Sequence, residues 1–458
     1  MKESIRSHSR FALIEQFDRH MQYVGPKMER DIREYRMGTF SLQFFDADGA
    51  RIYPDEVTVN QTSHEFKFGC SLFLLDQFPE AEKNAAYRAA FKKIFNCGVA
   101  PIYWDTLEPE KGKPRFAADS PNIWRRPALD LVRGYCRENN ISMKAHCLAY
   151  NSFNPKWLPN DNRGINIELA KRVAALGERY RYDFTDMDVI NEMYSIYKNC
   201  YAGNGMRNFQ ITDEPTHEKF CFDLAKREFP CTRLFWNEGC FETFGRDQYV
   251  GTRSRYYLML RRQLELGVPI EGIGMQFHAF CGRDNEVSTA GILYNSLRAI
   301  DVFDCYSDFR LPIHLSEVSI PSWSNEPDDE EVQAELAERM LKLWFSRKYV
   351  DAVIWWNLVD GTAYGTENVF HAGLMRGDLS PKPAYERFDR LINHDWHTAY
   401  SASGAGERFV FDGFYGDYDV TFTHDGKKYT RSIRLFRDTT GYDNRLADLR
   451  VSRVELAK

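Results

Sequence analysis

Hydrophobic and polar positions divide the chain into three regimes. Residues 5–36 repeat apolar side chains at helical spacing. This predicts one or two amphipathic helices, broken near Gly25-Pro26 because proline lacks the backbone N–H. GTFSLQFFD (38–46) and EVTVNQTSHEFKFG (56–69) alternate with period two, and the ADGA turn between them carries Asp48-Gly49, which is good hairpin chemistry. From about residue 66 to 395, short apolar runs alternate with longer amphipathic stretches. The runs are KFGCSLF (67–73), NCGVAPIYW (96–104), SMKAHCLAY (142–150), DMDVIN (186–191), RLFWNE (233–238), EGIGMQFHA (271–279), PIHLSEVS (312–319) and DAVIWWNL (351–358). IELAKRVAALGERYR and DDEEVQAELAERMLKLWFSRKY lie between them, and the second opens with acids and ends with bases, as a helix dipole prefers. After Trp396 the chain passes through SASGAG and returns to period-two alternation around His424-Asp425-Gly426.

Eight strand–helix alternations predict an α/β fold, a (β/α)8 TIM barrel with small β-rich accessory elements at both termini. A doubly wound open sheet fits less well, because no Gly-rich phosphate loop follows the first run. The expected organisation is an N-terminal helical and β accessory segment (1–65), a catalytic barrel (66–396) and a small antiparallel β module (397–458). The module is expected to pair with the N-terminal strands, since domain termini often lie close together.

Composition narrows the function. The net charge of −6, without a long basic run, argues against nucleic acid or an anionic membrane surface as the main partner. The ten cysteines are scattered singly, with no zinc spacing, and read as reduced core thiols. The N-terminus has no apolar stretch of signal-peptide type, so a cytoplasmic location is expected. Aromatic residues reach 15%, which suits stacking on sugar rings but also suits a large core. Oligomeric state is not legible.

In a barrel, the polar residues that end the strands face the site. Run four ends in Asn191-Glu192, run five in Asn237-Glu238, and run seven carries Ser316-Glu317; His146, Gln276, His278 and Trp356 lie on runs three, six and eight. Two carboxylates on strands four and seven can face each other across the mouth. Glycoside hydrolysis uses such a pair, one acid to protonate the leaving oxygen and one carboxylate to attack the anomeric carbon. Either glutamate alone could equally be a rim ion pair; both together, with Asn, His, Gln and Trp converging, point to chemistry. A metal-dependent hydrolase is disfavoured, since run one has no His-x-His and His64-Glu65 is not an HExxH motif. No cofactor and no metal are expected.

DVINEM, GVPIEGIGMQFHAF, LPIHLSEVSI, and IWWNLVD with SPKPAY occur in order over residues 66–392 and resemble glycoside hydrolase family 10, the xylanase family. The resemblance implies Glu192 as acid/base and Glu317 as nucleophile of a retaining β-glycosidase. It implies that Asn191 and His146 bond the sugar in the cleaved subsite, that His278 with Gln276 holds the nucleophile, that Trp356 floors the pocket, and that Asn237 supports the site. Trp104 and Tyr150 complete the expected substrate-binding set.

The chain departs from the family in run two, where an Asn, Glu and Lys cluster that grips the next sugar is replaced by the shorter Ala100-Pro101-Ile102-Tyr103 before Trp104-Asp105. Tyr150-Asn151 replaces a Trp-His pair, and Tyr364 stands where a second Trp is common. The expected substrates are therefore short β-linked, xylose- or glucose-containing oligosaccharides or β-glycosides. Polymeric xylan cleaved by an endo-1,4-β-xylanase is the alternative, and a non-catalytic carbohydrate-binding barrel is the rival of another class.

Overall fold

The computed structural model describes residues 3–46, 48–193, 217–239, 250–290, 292–404, 409–436 and 449–455. Its strands are β1 (Met37–Phe45), β2 (Arg51–Ile52), β3 (Glu56–His64), β4 (Lys67–Ser71), β5 (Cys97–Pro101), β6 (Ser142–Tyr150), β7 (Phe184–Asn191) and β8 (Arg233–Gly239). Then follow β9 (Gly272–His278), β10 (Ile313–Ser319), β11 (Val350–Trp355), β12 (Ala399–Ser403), β13 (Phe409–Phe414), β14 (Gly416–His424), β15 (Lys427–Leu435) and β16 (Leu449–Glu455). Strands β4 to β11 pair in parallel, in chain order, and β11 closes on β4. They correspond to the eight apolar runs, and a helix packs outside after each. The protein is a (β/α)8 barrel with additions at both ends.

The terminal segments build one two-sheet unit. One sheet has the order β13-β1-β16 with β2 beside β1, and the other β12-β3-β14-β15. Period-two alternation turns Phe40, Leu42, Phe44, Val57, Val59, Phe409, Phe411, Val420 and Phe422 into a shared core. Asp48-Gly49 does make a hairpin, but a short one, pairing β1 with β2. Strand β3 lies in the other sheet, and β16 runs parallel to β1, so residues 397–458 do not fold back only on themselves.

Helices α1 (Glu3–Arg6), α2 (Phe11–Asp18) and α3 (Met21–Arg36) precede β1. The break expected at Gly25-Pro26 is absent. The chain turns at Arg19-His20 instead, and α3 runs through Pro26. Pro26 and Gln22, whose carbonyl loses its usual donor, both lie on the exposed face of the helix, where the lost bond costs least. The long helix Pro327–Ser346 starts with proline and three acids, as a helix N-terminus favours.

A joint fixes the sheets to the N-terminal end of the barrel. Arg36 donates to the carbonyls of Phe345, Arg347 and Val350, and its guanidinium lies over the rings of Phe66 and Phe345. Phe345 stacks on Trp396 at 4.1 Å, and His64 meets Phe68 edge-on at 5.3 Å. The β unit is thus attached at the end opposite the strand termini that carry chemistry.

Inside the barrel, alternation aims polar side chains along the axis. Asp186 is held by Lys67 and Arg233, and Arg233 also reaches Asp351 at 2.5 Å. His314 lies 3.0 Å from Asp351, and Lys144 lies 3.2 Å from His314 and 2.8 Å from Asp188. This buried ladder leads from the barrel floor to His146, 2.9 Å from Asp188.

Candidate active site

Bulges at the C-terminal ends of the strands set the site. In β7, Asp186 and Asp188 face inward, and strict alternation would turn Asn191 away. The register shifts between Asp188 and Ile190, so Asn191 lies beside Asn237. In β10 the shift falls between Leu315 and Glu317, and Ser316 and Glu317 both reach Asn237. A Cβ on Gly274 would sit 2.3 Å from Asn237 Oδ1, so glycine there makes room for that side chain. Glu192 follows β7 with a φ of 54°, a left-handed conformation uncommon outside glycine and typical of residues held by their surroundings.

Three donors converge on Glu317. Asn237 Nδ2 and Gln276 Nε2 donate to Oε1 at 2.7 and 2.9 Å, and His278 Nε2 approaches Oε2 at 3.1 Å. Burial alone would push this carboxyl up. The His278 hydrogen bond, then the charges of His146 and His278, outweigh it and hold Glu317 below the ordinary carboxylate range. Burial likewise works against the His278 cation, but Glu317 raises its pKa. His278 is oriented on its other side by Ser319 Oγ at 3.0 Å. Such a carboxylate is ionised and aimed.

Glu192 is held differently. Tyr150 donates its hydroxyl to Oε2 at 2.6 Å, and Gln276 Nε2 donates to Oε1 at 2.9 Å. Burial and the Glu192 charge keep the Tyr150 phenol well above its usual range, so it stays a neutral donor. One amide nitrogen of Gln276 therefore bridges both glutamates, and Glu192 Oε1 and Glu317 Oε1 lie no more than twice 2.9 Å apart.

The other expected residues fall as follows. His146 lies at the same centre, with Nδ1 toward Asp188 and Nε2 4.0 Å from Glu317. Asn191 accepts from Asn237 at 2.8 Å, which leaves its own amide N–H groups for other partners. Trp356 packs edge-on to His146 at 5.2 Å, while its neighbour Trp355 points outward and bonds the Ala372 carbonyl. Trp104 is not brought to the glutamates. It is buried in the short helix Trp104–Leu107, edge-on to Trp157 at 6.0 Å and under the Arg172 guanidinium. Trp157 and Trp323 are loop packing, whereas Tyr364 is exposed and touches Phe153.

The profile of glycosyl hydrolase family 10 matches residues 63–390. The chain belongs to glycosyl hydrolase family 10. The anti-sigma-I factor RsgI6 of Acetivibrio thermocellus is 24% identical over 91% of this chain and 49% of its own length. Endo-1,4-beta-xylanase 3 of Arabidopsis thaliana is 26% identical over 86% of this chain and 47% of its own. The chain thus spans about half the length of these curated relatives. Xylanase 10B from Thermotoga petrophila RKU-1, solved in complex with xylobiose, shares the fold with a TM-score of 0.55 at 19% identity, covering 72% of this chain and 95% of that one.

Several residues of this family 10 site escape a motif reading. Lys144, Asp188 and His314 support His146 from below, and their signal was available as charged residues at every second position of strands read as buried. Glu367 follows β11, and burial raises its carboxyl against the opposing pull of His278 and Arg125. Phe73 and Tyr103 wall the site beside Trp356 and His146, at 5.2 and 5.4 Å. Among the described residues, no cluster of metal-ligating side chains is present and no helix is long and apolar enough to cross a membrane.

Proposed function

We propose that the chain is a retaining β-glycosidase of endo-1,4-β-xylanase type. The bridge of Gln276 across Glu192 and Glu317 carries this reading. It holds Glu192 Oε1 and Glu317 Oε1 within twice 2.9 Å of each other, which suits the roughly 5–5.5 Å of retaining enzymes and falls short of the ~6.5–9.5 Å that an inverting enzyme needs for its water. Glu317, ionised and held by three donors, attacks the anomeric carbon. Glu192 protonates the leaving oxygen, then takes a proton from the water that resolves the glycosyl–enzyme. Asn191 is placed to bond the sugar 2-hydroxyl, an interaction that strengthens as positive charge develops at the anomeric centre. The named relatives support polymeric xylan over the short oligosaccharides that run two led us to expect.

The test is xylan hydrolysis followed by viscosity, product length and NMR of the first-formed anomer. Internal cleavage with β product is expected. Glu317→Ala should lose at least about 10⁴-fold in kcat, and azide should restore turnover with an α-glycosyl azide product. Inverted first product would refute the mechanism.

A second reading, a carbohydrate-binding barrel without turnover, draws on the anti-sigma-I factor relative, whose match covers 91% of this chain. Xylo-oligosaccharide binding by a wild-type protein that hydrolyses no β-xyloside would favour it.

A further inference from the structure

The wall formed by the loops after β4, β5 and β6 holds two adjacent arginines that the mechanism above does not use. Arg125 and Arg126 are 4% and 7% exposed. Among the described residues, neither has a carboxylate at ion-pair distance. Arg126 donates Nη1 to the Arg125 carbonyl at 2.9 Å, and its Nε is buried without a partner. Arg125 donates Nη1 to Asn357 Oδ1 at 3.0 Å and to the Thr362 carbonyl, and its Nε is also buried and unpartnered. Burial and the neighbouring Arg126 charge bring Arg125 down to about 10, against the opposing pull of Glu367, which lies beyond ion-pair distance.

The guanidiniums are built in. Arg126 lies over the rings of Tyr103 at 4.1 Å, Phe73 at 5.3 Å and Phe153 at 5.5 Å. Their loop is stapled by Arg115, which donates to the carbonyls of Thr106, Pro121 and Arg126. The cage is also the wall of the active site: Phe73 meets Trp356, Tyr103 meets His146, and Phe153 lies 6.0 Å from Tyr150. Trp124, just before the pair, leaves about half its surface exposed beside Phe78.

Two buried, like-charged forks cost desolvation energy that cation–π contacts offset only in part. A carboxylate supplies what they lack, because its two oxygens match a guanidinium fork. We infer that Arg125 and Arg126 form a subsite for a carboxylate-bearing sugar, a uronic-acid residue carried by the saccharide whose cleavage is centred on Glu192 and Glu317. This rests on the glycosidase reading of the same site.

The test compares xylotetraose substituted with glucuronic acid against its carboxyl-reduced counterpart, which keeps the shape and loses the charge. The wild type should favour the acid form by about 10–100-fold in kcat/KM, the range for a charge-assisted hydrogen-bonded pair, with the preference shrinking as salt rises. Arg126→Gln should collapse that ratio toward one, and Arg126→Lys should recover part of it. Equal use of both substrates by the wild type, or an unchanged ratio in Arg126→Gln, would overturn the inference. If Arg126→Gln does not fold, the wild-type ratio decides alone. If no β-xyloside is cleaved at all, the glycosidase reading has failed. The subsite is then judged by calorimetric Kd values of Glu317→Ala protein for the same two compounds, and a Kd ratio near one refutes it.

Discussion

Glu317 owes its state to its neighbours more than to its own chemistry. A carboxylate that is fully buried would ordinarily hold its proton; here His278, Asn237 and Gln276 reverse that. His278→Asn removes the largest opposing influence, so the Glu317 pKa should rise. The acidic limb of the kcat/KM profile should then move to higher pH, with a loss of about 10–100-fold at the optimum. A limb that stays in place while activity drops would mean that His278 only positions substrate. Glu192 and Glu317, with Asn191, His146, Gln276, His278, Trp356 and Asn237, were legible because each is a polar or aromatic residue within or at the end of an apolar run. Trp104 misled because adjacency in sequence to a loop at the mouth says nothing about which way an indole turns; Arg172 and Trp157 pull it into packing. Arg125 and Arg126 carried no signal at all, since only the folded loop reveals that they are buried without acids.

At the scale of elements, the eight strands were readable because parallel strands covered on both faces appear as short apolar runs. Their bulges were not. An extra residue at β7 and at β10 leaves no trace in composition, yet it decides whether Asn191 and Glu317 face the site. The ladder beneath the site is equally a property of assembled strands. Lys144 is fully buried, and it is the cation nearest Asp188. Lys144→Met should cost about 3–5 kcal/mol of unfolding free energy in urea, because it leaves Asp188 buried without its main counter-ion. Adding Asp188→Asn should recover part of that loss. A single-variant change below about 1 kcal/mol would show that His146 suffices for Asp188.

Over the whole molecule, the terminal β unit and the barrel meet at a joint of aromatic rings, Arg36 and His64. Burial brings His64 down to about 4 against the opposing hydrogen bond to the Ile392 carbonyl. The unfolded chain binds this proton near pH 6.5, so the stability contributed is complete above that value. It is lost as the pH falls toward 4, amounting to roughly 3 kcal/mol. His314, also brought to about 4 by burial first and the Lys144 charge second, acts in the same sense. Denaturant midpoints should therefore decline between pH 6.5 and 4, and His64→Gln should flatten that decline. An unaltered slope would place the acid sensitivity elsewhere. The joint was beyond a sequence reading, since Arg36, His64, Phe345 and Trp396 come from four distant stretches. Because it lies at the N-terminal end of the barrel, it can tune stability without touching the glutamates.

The pairing of β1 with β13 sets an order of events during synthesis. Met37 waits for Phe414, 414 − 37 = 377 residues later. At the ribosome's pace of about 5–20 residues per second, that delay is roughly 20–75 s. For that interval β1 has only its short pairing with β2, and β3 has neither of its neighbours, while every barrel strand is made and can close before them. The two-sheet unit is a late-formed clasp, and its polar alternate positions are what the nascent chain shows to the cell in the meantime.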